Sequence, residues 1–263
     1  MAHRPLAKGA WVVTGAASGM GQRFARYLTE RGDDVAAWDR DATGLARTKD
    51  ACGPGRLDVQ MVDVTDPETI ERAARASRDA LGPLAHVVHC AGILRMGPVE
   101  AMDAADFSAM MEVNYLGSVH VAKALLADLR AATADGRAVL MLVASIAGLR
   151  AAPELAGYSA SKHAVVGFAC ALRDELHGSG VDVRALCPPP VDTPMLQTQP
   201  RIPPIYKVSP TIAPEVVVSA AMKALDTEGG LVVLVDARSR VLAGAQRLVP
   251  GVVDRVVQRA IRR

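Results

Sequence analysis

Tyr158 and Lys162 are the pair of residues in this sequence best suited to acid–base chemistry. They lie four positions apart, a spacing that puts two side chains on one face of a helix with their Cβ atoms about 5–6 Å apart. A phenol has an ordinary pKa of about 10, and a nearby cation favours the phenolate and lowers that pKa. Such a pair can move a proton to or from an alcohol or carbonyl oxygen. Taken alone, Tyr-x-x-x-Lys more often marks a solvated helix face, so the interpretation depends on other residues.

A strand, a glycine-rich turn and a helix near the start of the chain predict a phosphate-binding site. The apolar run Ala10–Val13 is followed by Thr14-Gly-Ala-Ala-Ser-Gly-Met-Gly21, and helical periodicity continues to a stop at Gly32. Glycines let the backbone approach a pyrophosphate, and the first N–H groups of the helix face it. The spacing Gly-x-x-x-Gly-x-Gly differs from the general dinucleotide fingerprint and is also compatible with a plain tight turn.

The second predicted strand ends at Asp39, roughly 20 residues beyond the glycine loop, where a carboxylate bonds the ribose hydroxyls of an adenosine. This anion would repel the 2′-phosphate of NADP, whereas the guanidinium of the neighbouring Arg40 could hold it. Position 18 is Ser18 and not a basic residue, which favours NAD. The sequence therefore predicts NAD as the cofactor, with NADP as the less favoured alternative.

Strands and helices alternate along the chain. After the first two strands, apolar runs predict five more, at 57–62, 85–90, 138–144, 181–186 and 231–235. Long helices are predicted over 106–130 and 158–177. This order predicts an α/β fold with a single doubly wound, parallel, seven-stranded sheet and helices on both faces, which is Rossmann-like. Ligands of such sheets bind beyond the carboxyl ends of the strands.

The composition predicts one domain over 1–263 and excludes several classes of function. A formal net charge of +2 is too small to indicate a nucleic-acid partner. Four cysteines without Cys-x-x-Cys spacing indicate a reduced, cytoplasmic protein, and no apolar run approaches the roughly 18 residues of a spanning helix. His86 and His89 lie three apart on a strand and therefore face opposite ways, so no metal site is predicted.

Several motifs, all in order along the chain, together resemble the short-chain dehydrogenase/reductase family over roughly residues 8–236. Ser145 lies 13 residues before Tyr158, as the serine of that family does. The motifs are Thr14-Gly-x-x-x-Gly-x-Gly21, Ala91-Gly92, Asn114, Ser145, Tyr158-x-x-x-Lys162 and Pro188-x-x-Val191-x-Thr193.

The resemblance implies hydride transfer between a nicotinamide ring and a secondary alcohol or ketone. It implies that Tyr158 is the general acid or base and that Ser145 hydrogen-bonds the reacting oxygen. Lys162 would lower the tyrosine pKa and bind the nicotinamide ribose, and Asn114 would order a water in the proton relay. The family also implies a homodimer or homotetramer, paired through the helices that contain Asn114 and Tyr158.

The resemblance also assigns the cofactor contacts. Asp63 and Val64 would contact adenine, and Val191 and Thr193 would hold the carboxamide. The full predicted cofactor set is Gly15, Ser18, Gly19, Met20, Gly21, Asp39, Arg40, Asp63, Val64, Ala91, Gly92, Tyr158, Lys162, Pro188, Val191 and Thr193.

Two stretches depart from the family pattern. His89-Cys90 stands where the family has two asparagines before Ala-Gly, and the loss of both amides should alter how this turn is held. Pro188-Pro189-Pro190 stands where the family has Pro-Gly. Three prolines stiffen the loop beside the nicotinamide and remove backbone donors.

Two later segments are predicted to have special roles. Residues 195–214 contain five prolines and form the predicted substrate lid, whose Ile202, Ile205, Tyr206 and Val208 indicate an apolar substrate. Residues 237–263 carry seven arginines and one acid, a net charge of +6 against +2 for the whole chain. Apolar residues of this C-terminal extension follow helical spacing, at Val241, Ala245, Leu248, Val252 and Val256. Packing on the domain or on a partner subunit is favoured, and contact with an anionic membrane surface is the alternative.

The sequence leaves two alternatives to an NAD-dependent dehydrogenase. One is an NADPH-dependent 3-oxoacyl-thioester reductase, for which the basic extension could dock an acidic carrier and against which Asp39 argues. The other is a non-catalytic nucleotide-binding regulatory protein on the same fold, because fold does not determine function. The presence of all four predicted catalytic residues argues against it.

Overall fold

The predicted parallel sheet is confirmed by a computed structural model, which describes residues 4–203, 206, 210–226 and 229–261. Its strands pair in the order β3-β2-β1-β4-β5-β6-β7, and every pairing is parallel. The strands are Ala10–Thr14 (β1), Val35–Asp39 (β2), Leu57–Met61 (β3), Leu84–His89 (β4), Ala138–Val143 (β5), Val181–Leu186 (β6) and Val232–Val233 (β7).

Helices connect the strands and cover both faces of the sheet. Among the residues that the structure describes, no helix is long and apolar enough to cross a membrane. The helices are Gly19–Glu30 (α1), Ala42–Ala51 (α2), Pro67–Leu81 (α3), Ala104–Met110 (α4), Gly117–Ala132 (α5), Ala156–Glu175 (α6), Pro194–Gln197 (α7), Pro214–Leu225 (α8), Ala237–Leu248 (α9) and Pro250–Ile261 (α10).

The core consists of two apolar layers, one on each face of the sheet. Alternate residues of a strand enter different layers, so Val12 packs with Leu125 whereas Val13 packs with Phe24. His86 and His89 follow the same rule. His86 stacks on Trp11 with ring centroids 4.3 Å apart. Strands β1, β2, β4 and β5 are buried on both faces apart from Asp39, which is why they read as apolar runs in the sequence.

The helix predicted over 106–130 is present as a continuous helical segment from Ala104 to Ala132, but it is not α-helical throughout. A π-helical turn, Met111–Leu116, separates α4 from α5 and carries Asn114. The apolar periodicity cannot reveal this turn, because a π turn inserts one residue without changing the residue types around it. The seventh strand is also shorter than predicted: two residues pair with the edge of the sheet at Ala185 and Leu186.

The C-terminal extension forms two helices, α9 and α10, whose predicted apolar stripe does not pack on the domain. Val241 and Leu248 are 71% and 81% exposed, and Val252 is 50% exposed. Buried positions of the extension include Ser239 and Val253. The side chain of Val256 lies outside the described part. The extension therefore turns a different face inward from the one that the spacing indicated.

Candidate active site

The glycine loop between β1 and α1 packs so tightly that side chains cannot replace its glycines. A Cβ atom on Gly21 would lie 2.1 Å from the carbonyl oxygen of Gly15. A Cβ atom on Gly15, whose φ is +67°, would lie 2.7 Å from the amide nitrogen of Ala91. The loop thus lies directly against the turn that follows β4, and the start of α1 faces open space beyond it.

Asp39 is held at the end of β2 by the backbone of the neighbouring turns. Its Oδ2 accepts a hydrogen bond from Ala17 N at 2.9 Å, and its Oδ1 accepts one from Asp41 N at 3.0 Å. A carboxylate can accept about four hydrogen bonds, so capacity remains for ribose hydroxyls. The Arg40 side chain is exposed at the rim of the same cleft.

These elements border a cleft of about 210 Å³, here named the nucleotide cleft, at the carboxyl ends of β1 to β4. Most of the predicted cofactor residues line it: Gly15, Ser18, Gly19, Met20, Gly21, Asp39, Arg40, Asp63, Val64, Ala91, Gly92 and Thr193. Sequence reasoning missed Trp38, Val62, Cys90, Ile93, Val113 and Met195. Most of these are apolar, and in a sequence they cannot be distinguished from core residues.

The residue types of the nucleotide cleft fit an adenine dinucleotide. Close-packed glycines and a helix N-terminus suit a pyrophosphate, a fixed carboxylate suits a ribose, and apolar walls suit a planar base. Asp63 adds a second fixed carboxylate, whose Oδ1 accepts hydrogen bonds from the backbone and hydroxyl of Thr65 at 2.9 and 2.7 Å. These hydrogen bonds lower the pKa of Asp63.

Ser145 and Tyr158 meet where β5 ends and α6 begins. Ser145 starts a short 3₁₀ turn, Ile146–Gly148, and its Oγ accepts a hydrogen bond from Ala147 N at 3.1 Å. Gly148 lets this turn approach α6, because a Cβ atom there would lie 2.6 Å from the carbonyl oxygen of Lys162. The Ser145 side chain lies close enough to the Tyr158 hydroxyl to stabilise the phenolate and lower the pKa of that phenol. The two hydroxyls that the family pattern pairs are therefore adjacent in the structure.

Burial controls the ionisation of both members of the Tyr158–Lys162 pair. The pKa of Tyr158 is raised above its ordinary value, chiefly because the phenolate is desolvated and then because Tyr206 lies nearby; the hydrogen bond with Ser145 opposes this rise. The pKa of Tyr158 therefore shifts upward overall, and the lowering that the resemblance assigns to Lys162 stays a prediction. Burial also lowers the pKa of Lys162 to about 8.

Lys162 and Asn114 lie behind the wall of the nucleotide cleft. Lys162 Nζ donates to Val143 O at 2.9 Å and lies 5.8 Å from the centroid of the Tyr158 ring. A Cβ atom on Gly92 would lie 3.0 Å from Asn114 Oδ1 and 3.4 Å from Lys162 Nζ. The absence of a side chain at Gly92 therefore leaves both polar groups close to the cleft.

Asn114 joins the turn after β4 to helix α6. Its Oδ1 accepts from Ile93 N at 2.7 Å, and its Nδ2 donates to Ile93 O at 3.0 Å and to Ser161 Oγ at 2.9 Å. The residue is fully buried. Both amide hydrogens are thus used within the protein, which fixes the π-helical turn against the site.

The turn that lacks the two asparagines of the family is held through His89 and Thr14. His89 Nδ1 lies 2.8 Å from Thr14 Oγ1, which accepts a hydrogen bond from Ala91 N at 3.2 Å. Burial lowers the pKa of His89 to about 3, so the imidazole is neutral. A neutral histidine thus supplies a side-chain contact to Thr14 at this turn, where the family pattern has two asparagines.

A second cleft of about 140 Å³, here named the substrate cleft, adjoins the nucleotide cleft at Met20, Thr193 and Met195. Ser145 and Tyr158 lie in its wall together with Pro188 and Val191. Pro188 and Val191, predicted as cofactor residues, therefore line the substrate cleft and not the nucleotide cleft. Residues that the sequence analysis did not assign to this wall include Leu94, Ile146, Arg150, Ala152, Leu155, Leu196 and Leu242.

The predicted lid contributes to the substrate cleft in part. Its first residues form α7 instead of a loop, and Met195, Leu196 and Tyr206 line the cleft. Ile202 is 47% exposed and is not part of the described lining. Ile205 and Val208 lie outside the described residues. Thr193 and Pro194 explain the helix, since proline is favoured in the first turn.

Comparisons with known proteins agree with this geometry. Residues 10–202 match the model of the short chain dehydrogenase family. The chain is 38% identical over 199 residues to 1-deoxy-11-beta-hydroxypentalenate dehydrogenase of Streptomyces exfoliatus, covering 72% of this chain and 70% of the relative. It is 32% identical to Oxidoreductase BOA17 of Botryotinia fuckeliana, and this match spans 68% of the chain and 64% of that relative's length.

Solved structures match over more of the chain. A short chain dehydrogenase from Burkholderia cenocepacia in complex with NADP has a TM-score of 0.81 at 29% identity, covering 95% of this chain and 98% of that one. A 3-ketoacyl-(acyl-carrier-protein) reductase from Brucella melitensis complexed with NADH has a TM-score of 0.80 at 26% identity, covering 89% and 100%. The chain therefore belongs to the short chain dehydrogenase family, as an oxidoreductase with a Rossmann-like fold.

Proposed function

We propose that this protein transfers a hydride between NAD(H) and a secondary alcohol or ketone of an apolar small molecule. The observation that carries the proposal is the adjacency of the Ser145 and Tyr158 hydroxyls in the wall of a largely apolar cleft that opens into the nucleotide cleft. A substrate oxygen placed beside the two hydroxyls lies within reach of the site where the dinucleotide ends.

Each of the four predicted catalytic residues has a role that its contacts support. Tyr158 donates a proton to the reacting oxygen in reduction and removes it in oxidation, and Ser145 stabilises the developing charge by a hydrogen bond. Lys162, as a cation near the ring, favours the phenolate form. Asn114 holds the π-helical turn in place, and we retain for it the water-ordering role that the family implies.

The cofactor supplies or accepts the hydride when it is bound. Gly15, Gly19 and Gly21 would hold its pyrophosphate, Asp39 its adenosine ribose and Thr193 its carboxamide end. Asp39 is the basis for preferring NAD, because its carboxylate is fixed by two backbone N–H groups and would face the 2′-phosphate of NADP. The exposed Arg40 at the rim is the basis for the weaker NADP alternative.

The first experiment follows nicotinamide absorbance with NADH and with NADPH against a panel of apolar ketones and 3-oxoacyl thioesters. Turnover with NADH on a ketone, reduced roughly 1,000-fold or more in Tyr158→Phe, is expected, since general acid–base catalysis contributes factors of this order. Tyr27→Phe is the matched control, because Tyr27 is on α1 and is not among the described residues lining either cleft.

The same assay decides between the alternatives. Turnover of thioesters with NADPH in preference to ketones with NADH would favour the 3-oxoacyl reductase. Tight binding of NADH without turnover of any compound in the panel would favour the non-catalytic nucleotide-binding protein.

We propose that subunits pair through the helices that carry Asn114 and Tyr158, giving a homodimer or homotetramer. In α6 the exposed positions include Ala160, Gly167 and Ala171, whose small side chains permit close approach of a second helix. Sedimentation should give the mass of two or four chains. Gly167→Trp should then reduce this mass at least twofold, while the same change at exposed Gly244 of α9 should not.

We also propose that the C-terminal extension contacts an anionic membrane surface, with the enzyme otherwise in the cytoplasm. Val241, Leu248 and Val252 are exposed on helices that also carry arginines, and Val249 is exposed between those helices. Free cysteines at all four positions are in keeping with a reducing compartment. Co-sedimentation with anionic vesicles should be lost in Leu248→Glu and retained with Val216→Glu, a change at an exposed valine of α8.

A further inference from the structure

We propose that Arg150 selects substrates that carry a carboxylate, by binding that group in the substrate cleft; this inference rests on the proposed function. Arg150 lines the same cleft as Ser145 and Tyr158. Among the described residues of that lining it alone carries a charge, and the others are apolar or neutral. A substrate that extends across the apolar wall from the two hydroxyls therefore meets one cation.

The contacts of Arg150 hold the guanidinium at the cleft and leave it short of partners. Its backbone N–H donates to Ile146 O at 3.0 Å, which fixes the residue to the 3₁₀ turn after Ser145. Its Nη1 donates to Ala151 O at 3.1 Å. Its side chain is only 13% exposed, and its Nε is buried with no hydrogen-bond partner among the described residues. A buried guanidinium with an unused donor is costly unless an anion compensates it.

Asp254 of α10 supplies that anion in this structure, and it can be exchanged. Its Oδ1 lies 3.3 Å from Arg150 Nη2, and its side chain is 53% exposed. Ion pairs of a half-exposed carboxylate at this distance are weak, because water competes for the charge. A substrate carboxylate can pair with both nitrogens of one edge of a guanidinium, which is stronger. Substrate binding would thus replace Asp254 and release α10 from Arg150.

Calorimetry with hexanoate and its neutral isostere hexanamide, titrated into the NAD-saturated full-length protein, tests the inference. Hexanoate should bind at least about 10-fold more tightly than hexanamide, the factor expected of one charge-assisted pair. Arg150→Gln should abolish this difference by weakening hexanoate alone. Asp254→Asn should tighten hexanoate severalfold and leave hexanamide unchanged, since the competing carboxylate is gone.

A purely structural role for the ion pair gives the opposite pattern. If Arg150 only latches α10 to the domain, Arg150→Gln and Asp254→Asn will weaken both compounds alike, and the inference is overturned. Equal affinity of the wild type for the two compounds overturns it as well. Arg201→Gln is the matched control, because Arg201 pairs with Glu154 at 3.1 Å outside the described lining. If Arg201→Gln reduces the preference for hexanoate over hexanamide as much as Arg150→Gln does, the preference comes from the general positive charge of the surface. That result would also overturn the inference.

The binding readout separates this inference from the proposed function. Selective binding of hexanoate through Arg150 in a protein that reduces no ketone would defeat only the proposed function. Turnover of neutral ketones without any preference for hexanoate over hexanamide would defeat only the inference about Arg150.

Discussion

The nucleotide cleft and the substrate cleft share Met20, Thr193 and Met195 but are built differently. The first is formed mainly by the loops that follow four adjacent strands, and its fixed groups are backbone amides and carboxylates held by backbone N–H groups. The second combines side chains from Leu94 to Leu242, most of them apolar. We infer that a cofactor site can be built from short segments that are each recognisable in the sequence. A substrate site depends instead on side chains from segments that are distant in the chain.

The largest expected effect concerns the glycine loop of the nucleotide cleft. Gly21→Ala should lower NADH affinity more than about 100-fold and the free energy of unfolding by about 3 kcal/mol, since its Cβ would lie 2.1 Å from a backbone oxygen. Calorimetry and chemical denaturation measure both. Gly32→Ala is the control: its φ is +86°, but its Cβ would meet nothing within 4 Å. NADH binding by Gly21→Ala within twofold of wild type would show that the loop is not the nucleotide site.

The second effect is acid sensitivity of the turn between the clefts. The pKa of His89 falls from 6.5 to about 3 on folding, so the unfolded chain binds a proton first as the pH drops. The stabilisation is complete above pH 6.5 and decreases as the pH falls toward 3. Over the first part of this window, between pH 6.5 and about 4, His89 should contribute a loss of roughly 3 kcal/mol.

His89→Asn should remove this part of the acid dependence, measured by denaturation at a series of pH values. The exposed His163→Asn is the matched control for the loss of an imidazole. An unchanged slope in His89→Asn would assign the acid sensitivity elsewhere, with the buried His86 as the first candidate, because burial lowers its pKa to about 4.

A third, smaller effect concerns the choice of cofactor within the nucleotide cleft. Asp39→Ser should shift the ratio of NADPH to NADH affinity about 10- to 100-fold toward NADPH, because it removes the anion that faces the 2′-phosphate. Asp41→Ser is the control, since Asp41 is exposed beside the same strand end and is not part of the described lining. A ratio that moves only when Arg40 is replaced would assign the choice to Arg40.

The smallest expected effect concerns the apolar wall of the substrate cleft. Leu242→Ala should weaken binding of apolar ketones about 3- to 10-fold, equivalent to roughly 1 kcal/mol of lost apolar contact, and leave NADH affinity unchanged. Its neighbour Val241 is 71% exposed, so Val241→Ala is a matched control. Equal loss of ketone and NADH affinity in Leu242→Ala would mean that the two clefts do not respond independently.

Most of the fold and of the nucleotide cleft could be predicted, because both depend on short-range rules. Continuous apolar runs indicate buried parallel strands. The glycine spacing indicates the phosphate-binding loop, and Asp39 at a strand end indicates the ribose contact. The π-helical turn at Asn114 could not be predicted, because it depends on contacts with Ile93 and Ser161 that are distant in the chain. The raised pKa of Tyr158 could not be predicted either, because the spacing indicates the nearby cation Lys162 but not the burial of the phenol.

The sequence by itself determined the alternation of elements, the parallel sheet, the family and the residue types at the reacting centre. Only the tertiary structure decided that Arg150 and Leu242 belong to the substrate cleft, that His89 and Thr14 hold the turn without asparagines, and that the stripe at Val241 faces outward. The physical reason is the separation along the chain over which each kind of interaction acts. Backbone conformation and periodicity are determined within a few residues, whereas desolvation and side-chain pairing depend on which distant segments the fold brings together.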